Sequence, residues 1–160
     1  MLNQELKDKL KETLAICEIH HQRMEFAFNS IKGHFPLTET EFGSISELEM
    51  ALFDQLIYRF SKLQDSIGTR LFKQLLEALE EDVTGLPFID ILNKLEQINL
   101  LEDSKDWIKL RQTRNIVTHE YPFFKEMQME ELNLLPGEVQ KLSAIWEKLN
   151  NYTKRLLHNK

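Results

Sequence analysis

Glycine and proline are scarce in these 160 residues, with five and four, and cysteine occurs once, at Cys17. One cysteine excludes an internal disulfide and a thiolate metal cluster, and it suits a reducing compartment. The few glycines and prolines fall mostly between segments of helical period, which excludes a turn-rich β architecture and predicts an all-α chain. No apolar run approaches the ~20 residues that a bilayer-spanning helix needs, so no membrane contact is expected. The first eight residues, MLNQELKD, are amphipathic rather than signal-like, and the expectation is one soluble, cytoplasmic domain. Positive charge is also short: a net charge of −6 and a pI near 5.4 argue against coating nucleic acid by bulk electrostatics. The histidines at 20, 21, 34, 119 and 158 are scattered without a His-Glu-x-x-His pattern, and His20 and His21 diverge by about 100° on a helix, so neither a metal nor another cofactor is expected. No internal repeat, low-complexity tract or glycine-rich phosphate loop occurs.

What is present is apolar periodicity, with 42% hydrophobic residues to build a core. Leu6, Leu10, Leu14, Cys17, Met24, Phe28 and Ile31 recur at steps of three, four or seven and predict a long helix over 3–32, with His21 filling the gap in its stripe. Residues 33–46 read as loop. Leu48, Leu52, Leu56, Phe60, Leu63, Ile67, Leu71, Leu75 and Leu79 predict one helix over 46–81, with Gly68 as the place for a bend. Pro87 starts a shorter helix through Ile91, Leu92 and Leu95 to Gln97. Residues 123–135 read either as a lid or partner-facing loop or as a core-packing segment. Pro136 and Gly137 open a last helix with Val139, Leu142, Trp146, Leu149 and Leu156 inward. The fold class is an up-and-down helical bundle of four main helices plus a short one.

The densest polar chemistry lies from Asp103 to Pro122. Asp103 or Ser104 caps a helix start and Pro122 cannot continue one, so the stretch reads as one helix. At 3.6 residues per turn, Arg111, Arg114, Asn115, Thr118 and His119 share an arc of roughly 140°. Such an arc is a solvated face or a phosphate site; Arg offers a planar fork for phosphate oxygens and His exchanges a proton near neutral pH. Spacing does not choose between the two. Lys105, Lys109, Arg111 and Arg114 offer a local cationic patch, with Lys109 and Arg111 as tentative phosphate contacts. On the long second helix Asp54, Tyr58, Ser61 and Asp65 line up within about 60°. That line is either solvated or packed against the Arg–His face, its carboxylates pairing with arginine and orienting histidine. Arg59 lies off it and is free for RNA or a dimer contact.

The stretch RNIVTH, Arg114 to His119, resembles the signature of the HEPN superfamily, an Arg followed by a polar residue and then a His. With Tyr121 it reads Arg-x4-His-x-Tyr, similar to the HepT type of HEPN toxin that pairs with a small nucleotidyltransferase antitoxin. The stretch DQLIYRF, Asp54 to Phe60, resembles the second helix of the same family.

The resemblance implies a metal-independent endoribonuclease formed by a homodimer, in which two Arg–His pairs border one cleft and the RNA 2′-hydroxyl attacks the adjacent phosphate. It gives His119 the proton transfer, Arg114 the charge on the phosphorane oxygens, Asn115 an orienting role and Tyr121 the part of AMP acceptor from the antitoxin. A different class of function fits the same resemblance: a non-catalytic partner or substrate-binding subunit of a nucleotidyltransferase. A bare helical dimerisation module is a third reading, which leaves the motif unexplained.

Overall fold

The computed structural model describes residues 2–120 and 126–159; the side chains of 119, 120 and 126–128 lie outside that description. Asn3 accepts the Leu6 N–H at 2.8 Å and starts α1, Gln4–Ile31. Of the expected stripe the helix buries Leu10, Leu14, Cys17, Met24 and Ile31, with Ala27 and His21 between them, while Leu6 and Phe28 are half-buried. Burial pushes the Cys17 thiol up to about 12, so Cys17 acts as a small apolar filler. The stretch expected as loop is partly helical: a 3₁₀ turn covers Lys32–His34, and Thr38 caps a short α2, Glu39–Gly43. Five residues are too few for periodicity to reveal.

Ser46 and Glu49 form a capping box, each side chain reaching the other's backbone N–H, and start α3, Glu47–Ser66. The run continues through a π turn, Ile67–Leu71, into α4, Phe72–Ala78. Leu48, expected in the stripe, is 75% exposed in the first turn, and full burial begins at Phe53. Then follow α5, Phe88–Gln97, and α6, Ser104–Glu120. The ambiguous stretch holds α7, Glu126–Leu132, and from Met129 onward it packs on the core through Met129, Leu132 and Leu135. Asn133 fixes it by pairing with both backbone groups of Leu37, at 2.6 and 3.0 Å. The last helix, α8, covers Leu135–Asn159 and buries Val139, Leu142, Trp146 and Leu149.

Cross-links show how the helices run. His34 meets Glu49 and His20 meets Arg59, so α1 and α3 are antiparallel, and theirs is the most extensive packing in the chain. Glu25 meets Ser143 and Glu18 meets Trp146, making α8 antiparallel to α1. Asp65 meets Arg114 while Gly68 faces Trp107, making α6 antiparallel to α3. The chain is an all-α bundle of up-and-down helices around one apolar core, and no strand occurs among the described residues. Among those residues no helix is long and apolar enough to cross a membrane.

One polar joint closes the end of the bundle where α1 turns back into α3. His34 places Nδ1 2.7 Å from Glu41 Oε1 and Nε2 against Glu49 Oε2. Hydrogen bonds to Glu49 and then Glu41 raise the His34 pKa, and the His34 bond, followed by the Ser46 backbone, lowers that of Glu49. The raised His34 contributes fully below its ordinary value of 6.5 and loses its contribution as pH rises through the folded value. The lowered Glu49 contributes fully above its ordinary 4.5 and loses its contribution as pH falls through the folded value. The melting-temperature difference between wild type and His34→Gln is therefore greatest between pH 4.5 and 6.5 and shrinks on either side. A difference that stays flat from pH 4 to 9 in calorimetry refutes this joint.

Candidate functional site

Helix α6 begins where two carboxylates hold its first amides: the Ser104 N–H donates to Glu96 Oε2 at 2.8 Å and the Lys105 N–H to Asp103 Oδ1 at 2.9 Å. Asp103, rather than Ser104, supplies the side-chain cap. Trp107, Leu110, Thr113 and Val117 turn inward. The polar arc faces out: Arg111, Asn115 and Thr118 are exposed and Arg114 is half-buried. The Thr118 hydroxyl donates to the Arg114 carbonyl at 2.8 Å, a bond within the helix that leaves the Asn115 side chain free of it. His119 lies in the last turn of α6, but its side chain, and Tyr121 altogether, are outside the described residues.

Of the polar line on α3, the structure brings Asp65 to α6. Arg114 Nη2 lies 3.0 Å from Asp65 Oδ1 and donates to Oδ2 at 3.2 Å. Ser61 is buried and donates to the Ile57 carbonyl, while Asp54 and Tyr58 are exposed. The Tyr58 ring carries the Arg59 guanidinium 5.2 Å from its centroid, and Lys62 approaches at 5.7 Å. Arg59 also donates to His20 Nδ1 at 2.9 Å, which requires a neutral imidazole; burial and then the Arg59 charge lower the His20 pKa accordingly. Arg59 is thus engaged within the bundle. Lys109 does not join Arg111 and Arg114, since two residues along a helix turn it by about 200°. It stands instead where its charge acts on Glu138 of α8, whose carboxyl burial pushes up.

Between α3, the π turn, α5 and α6 lies a cavity of about 250 Å³. Gln64, Lys73, Phe88, Trp107, Arg111 and Arg114 are among the residues that line it. Phe72 meets the edge of Trp107 at 4.7 Å between centroids, and the Arg111 guanidinium lies 4.7 Å from the Phe88 centroid. Inspection of the sequence singled out Arg111 and Arg114 but passed over Gln64 and Lys73. The signal for Gln64 was present: it lies about 40° from Phe60, inside the apolar arc of its helix, where an amide is out of place. A second polar group escaped the search for metal patterns as well. His21, Glu25 and Glu147 each bring a ligand atom within 4.8 Å of the others, across the α1–α8 interface. His21 Nε2 lies 3.2 Å from Glu25 Oε1, the oxygen to which Ser143 of α8 also donates.

Compared with known proteins, the chain matches no family model, no curated protein and no solved structure.

The Arg114–Asp65 pair is about one-third exposed on either side, so its attraction is screened and contributes at most about 1 kcal/mol. Its role is to hold the guanidinium in place. Asp65→Asn should therefore lower the melting temperature by no more than about 4 °C, the shift that ~1 kcal/mol gives in a domain of this size. A larger fall in calorimetry would make the pair a structural element instead.

Proposed function

We propose that this protein is a HEPN-type endoribonuclease that acts as a homodimer through the polar face of α6, as the toxin of a pair with a nucleotidyltransferase. The observation that carries the reading is the position of Arg114: Asp65 holds Nη2 of its guanidinium at 3.0 Å and leaves the half-buried side chain on the polar face. It stands beside exposed Arg111 and Asn115 on one helix face. A positioned guanidinium fits a phosphate, whose oxygens it neutralises as charge accumulates.

In this mechanism the RNA 2′-oxygen forms a bond to the adjacent phosphorus and the bond from phosphorus to the 5′-oxygen breaks. His119 takes the proton from the 2′-hydroxyl or gives one to the departing 5′-oxygen, work suited to an ordinary pKa near 6.5. Arg114 binds the pentacoordinate phosphorus oxygens, Arg111 a neighbouring phosphate, and Asn115 orients the histidine or backbone. The products are a 2′,3′-cyclic phosphate and a 5′-hydroxyl. The step needs no metal, because the RNA itself supplies the nucleophile. A homodimer is part of the proposal because one chain carries one Arg–His pair and the cleft uses two.

Purified protein should run as a dimer at micromolar concentration in light scattering and cut total RNA in EDTA. His119→Ala and Arg114→Ala should each lose cleavage by a factor on the order of 10²–10⁴ while keeping the melting profile. Cleavage at the wild-type rate by either variant, or its loss in EDTA alone, overturns the mechanism.

Control by the partner follows from the same arc. AMP on Tyr121 places a negative phosphodiester two residues from His119, where it competes with RNA for the arginines. Incubation with the nucleotidyltransferase, ATP and magnesium should add AMP mass to the peptide containing Tyr121, and Tyr121→Phe should escape both labelling and inhibition. A Tyr121→Phe variant that is still fully inhibited assigns control to complex formation.

A further inference from the structure

Where α1 packs on α8, a buried imidazole nitrogen stands unused. His21 is 8% exposed, inside the apolar stripe between Cys17 and Met24, and its Nε2 has no hydrogen-bond partner among the described residues. Glu25 Oε1 is 3.2 Å away, but at an angle that makes no hydrogen bond. A buried polar atom left in this state is destabilising, and a leucine would continue the stripe without that penalty.

The surroundings of that nitrogen are those of a cation site. His21 and Glu25 stand one turn apart on α1, and Ser143 and Glu147 one turn apart on α8, so two such pairs meet across the interface. One ligand atom from each of His21, Glu25 and Glu147 comes within 4.8 Å of the others. Two carboxylates this close repel unless a cation joins them. Two donors bound to one tetrahedral ion at ~2.1 Å stand about 3.4 Å apart, close to the 3.2 Å between His21 Nε2 and Glu25 Oε1. Glu147 is exposed, and its side chain has the freedom to close the remaining distance. The Ser143 hydroxyl donates to Glu25 Oε1 at 3.0 Å and orients that carboxylate, as outer partners of metal ligands do. The buried Trp146 ring, 6.4 Å from the imidazole, supplies the apolar shell that limits water at such sites.

We infer that His21, Glu25 and Glu147 bind one divalent transition-metal ion of the zinc class, which clasps the first long helix to the last. One imidazole nitrogen with two carboxylate oxygens suits zinc, cobalt or nickel, whereas calcium and magnesium take all-oxygen sets. His21 binds as the neutral imidazole through Nε2, and the two carboxylates balance the charge of the ion. Three protein ligands leave one position of a tetrahedral ion to water. No motif marks the site in the sequence, because its ligands come from opposite ends of the chain and a single histidine is among them. The ion binds only when α1 and α8 are packed together, so it stabilises the folded chain. The site is separate from the ribonuclease reading, which uses α6 and no metal.

Calorimetric titration with zinc chloride, on protein stripped with EDTA and then dialysed, tests this. One equivalent should bind per chain, and zinc at a hundredfold excess over its Kd should raise the melting temperature by about 5 °C or more. Millimolar magnesium should not displace it. His21→Leu and Glu147→Gln should each weaken zinc binding at least tenfold and remove most of the stabilisation. Glu147 is exposed, so its variant keeps the test open should His21→Leu fold poorly. His34→Gln, which breaks the separate group of His34, Glu41 and Glu49, should bind zinc as the wild type does. Absence of zinc binding, binding that leaves the melting temperature unchanged, displacement by magnesium, wild-type affinity in Glu147→Gln, or lost binding in His34→Gln each overturns the proposal. RNA cleavage in EDTA, measured well below the melting temperature of the metal-free protein, separates this site from the ribonuclease reading. If zinc binds as stated and no RNA is cut, the clasp stands and the ribonuclease reading falls. If RNA is cut and zinc does not bind, the clasp falls and the ribonuclease reading stands.

Discussion

The geometry of the polar face depends on where one indole sits. Trp107 is 1% exposed, seated against the π turn at Gly68 and edge-on to Phe72. A side chain of that size has one energetically acceptable direction, so its burial fixes the rotation of α6 about its axis. Arg111 lies four residues on, turned by about 40°, and Arg114 seven residues on, turned back by about 20°. Both arginines therefore follow the indole along one line of the helix. Because α3 runs the other way, the residue that meets Arg114 must precede Gly68, and Asp65 is placed there. The apolar seat determines the ion pair; at about one-third exposure the ion pair is too weak to have determined the seat.

Charge is distributed to the same end. The chain is acidic, so any cation that meets a phosphate must be local, and local means angular position on a helix rather than closeness in sequence. Lys109 is nearer in sequence to Arg111 than Arg114 is, yet its charge acts on Glu138 of α8. Lys73 is remote in sequence and lines the same cavity as the two arginines. Arg59, which looked available, donates to His20 within the bundle. The cationic surface around the cavity is smaller than a count of basic residues suggests, and the acidic remainder limits attraction of unrelated nucleic acid.

The helices were legible because their stripes repeat over many turns: the starts near Asn3 and Ser46 and the last stripe through Trp146 stand where periodicity placed them. Even the π turn left a trace. Leu63, Ile67, Leu71 and Leu75 keep steps of four, which on a regular helix drift by about 40° each time, and a stripe held across that many steps needs a local unwinding. Short or singular features were not legible. The five residues of α2 make no pattern, and Leu48 has the right spacing but sits in a first turn that the core does not reach. The site was half legible: the arginines stood out as an unusual polar face and Asp65 stood on the line read as able to pair with them, whereas the choice of Asp65 over Asp54, and the cavity, depend on how two distant helices are set against each other. Gln64 was hidden by its surroundings: within an apolar stripe, a single amide passes for an interruption.

Two departures from good core design occur within one turn of each other on α3. The π turn at Ile67–Leu71 sacrifices regular helical hydrogen bonding, and the unpaired amide of Gln64 leaves a desolvation penalty of about 1–3 kcal/mol uncompensated within the fold. Elsewhere the helix obeys local rules closely, with a complete capping box at Ser46, leucine, isoleucine or phenylalanine at the other inward positions, and a Ser61 hydroxyl that is hydrogen-bonded within the helix. Departures scattered through a helix would signify loose packing. These two adjoin the same cavity, next to the arginine that Asp65 holds in place. Packing alone favours an unbroken helix with methionine or leucine at 64, so stability does not account for either feature.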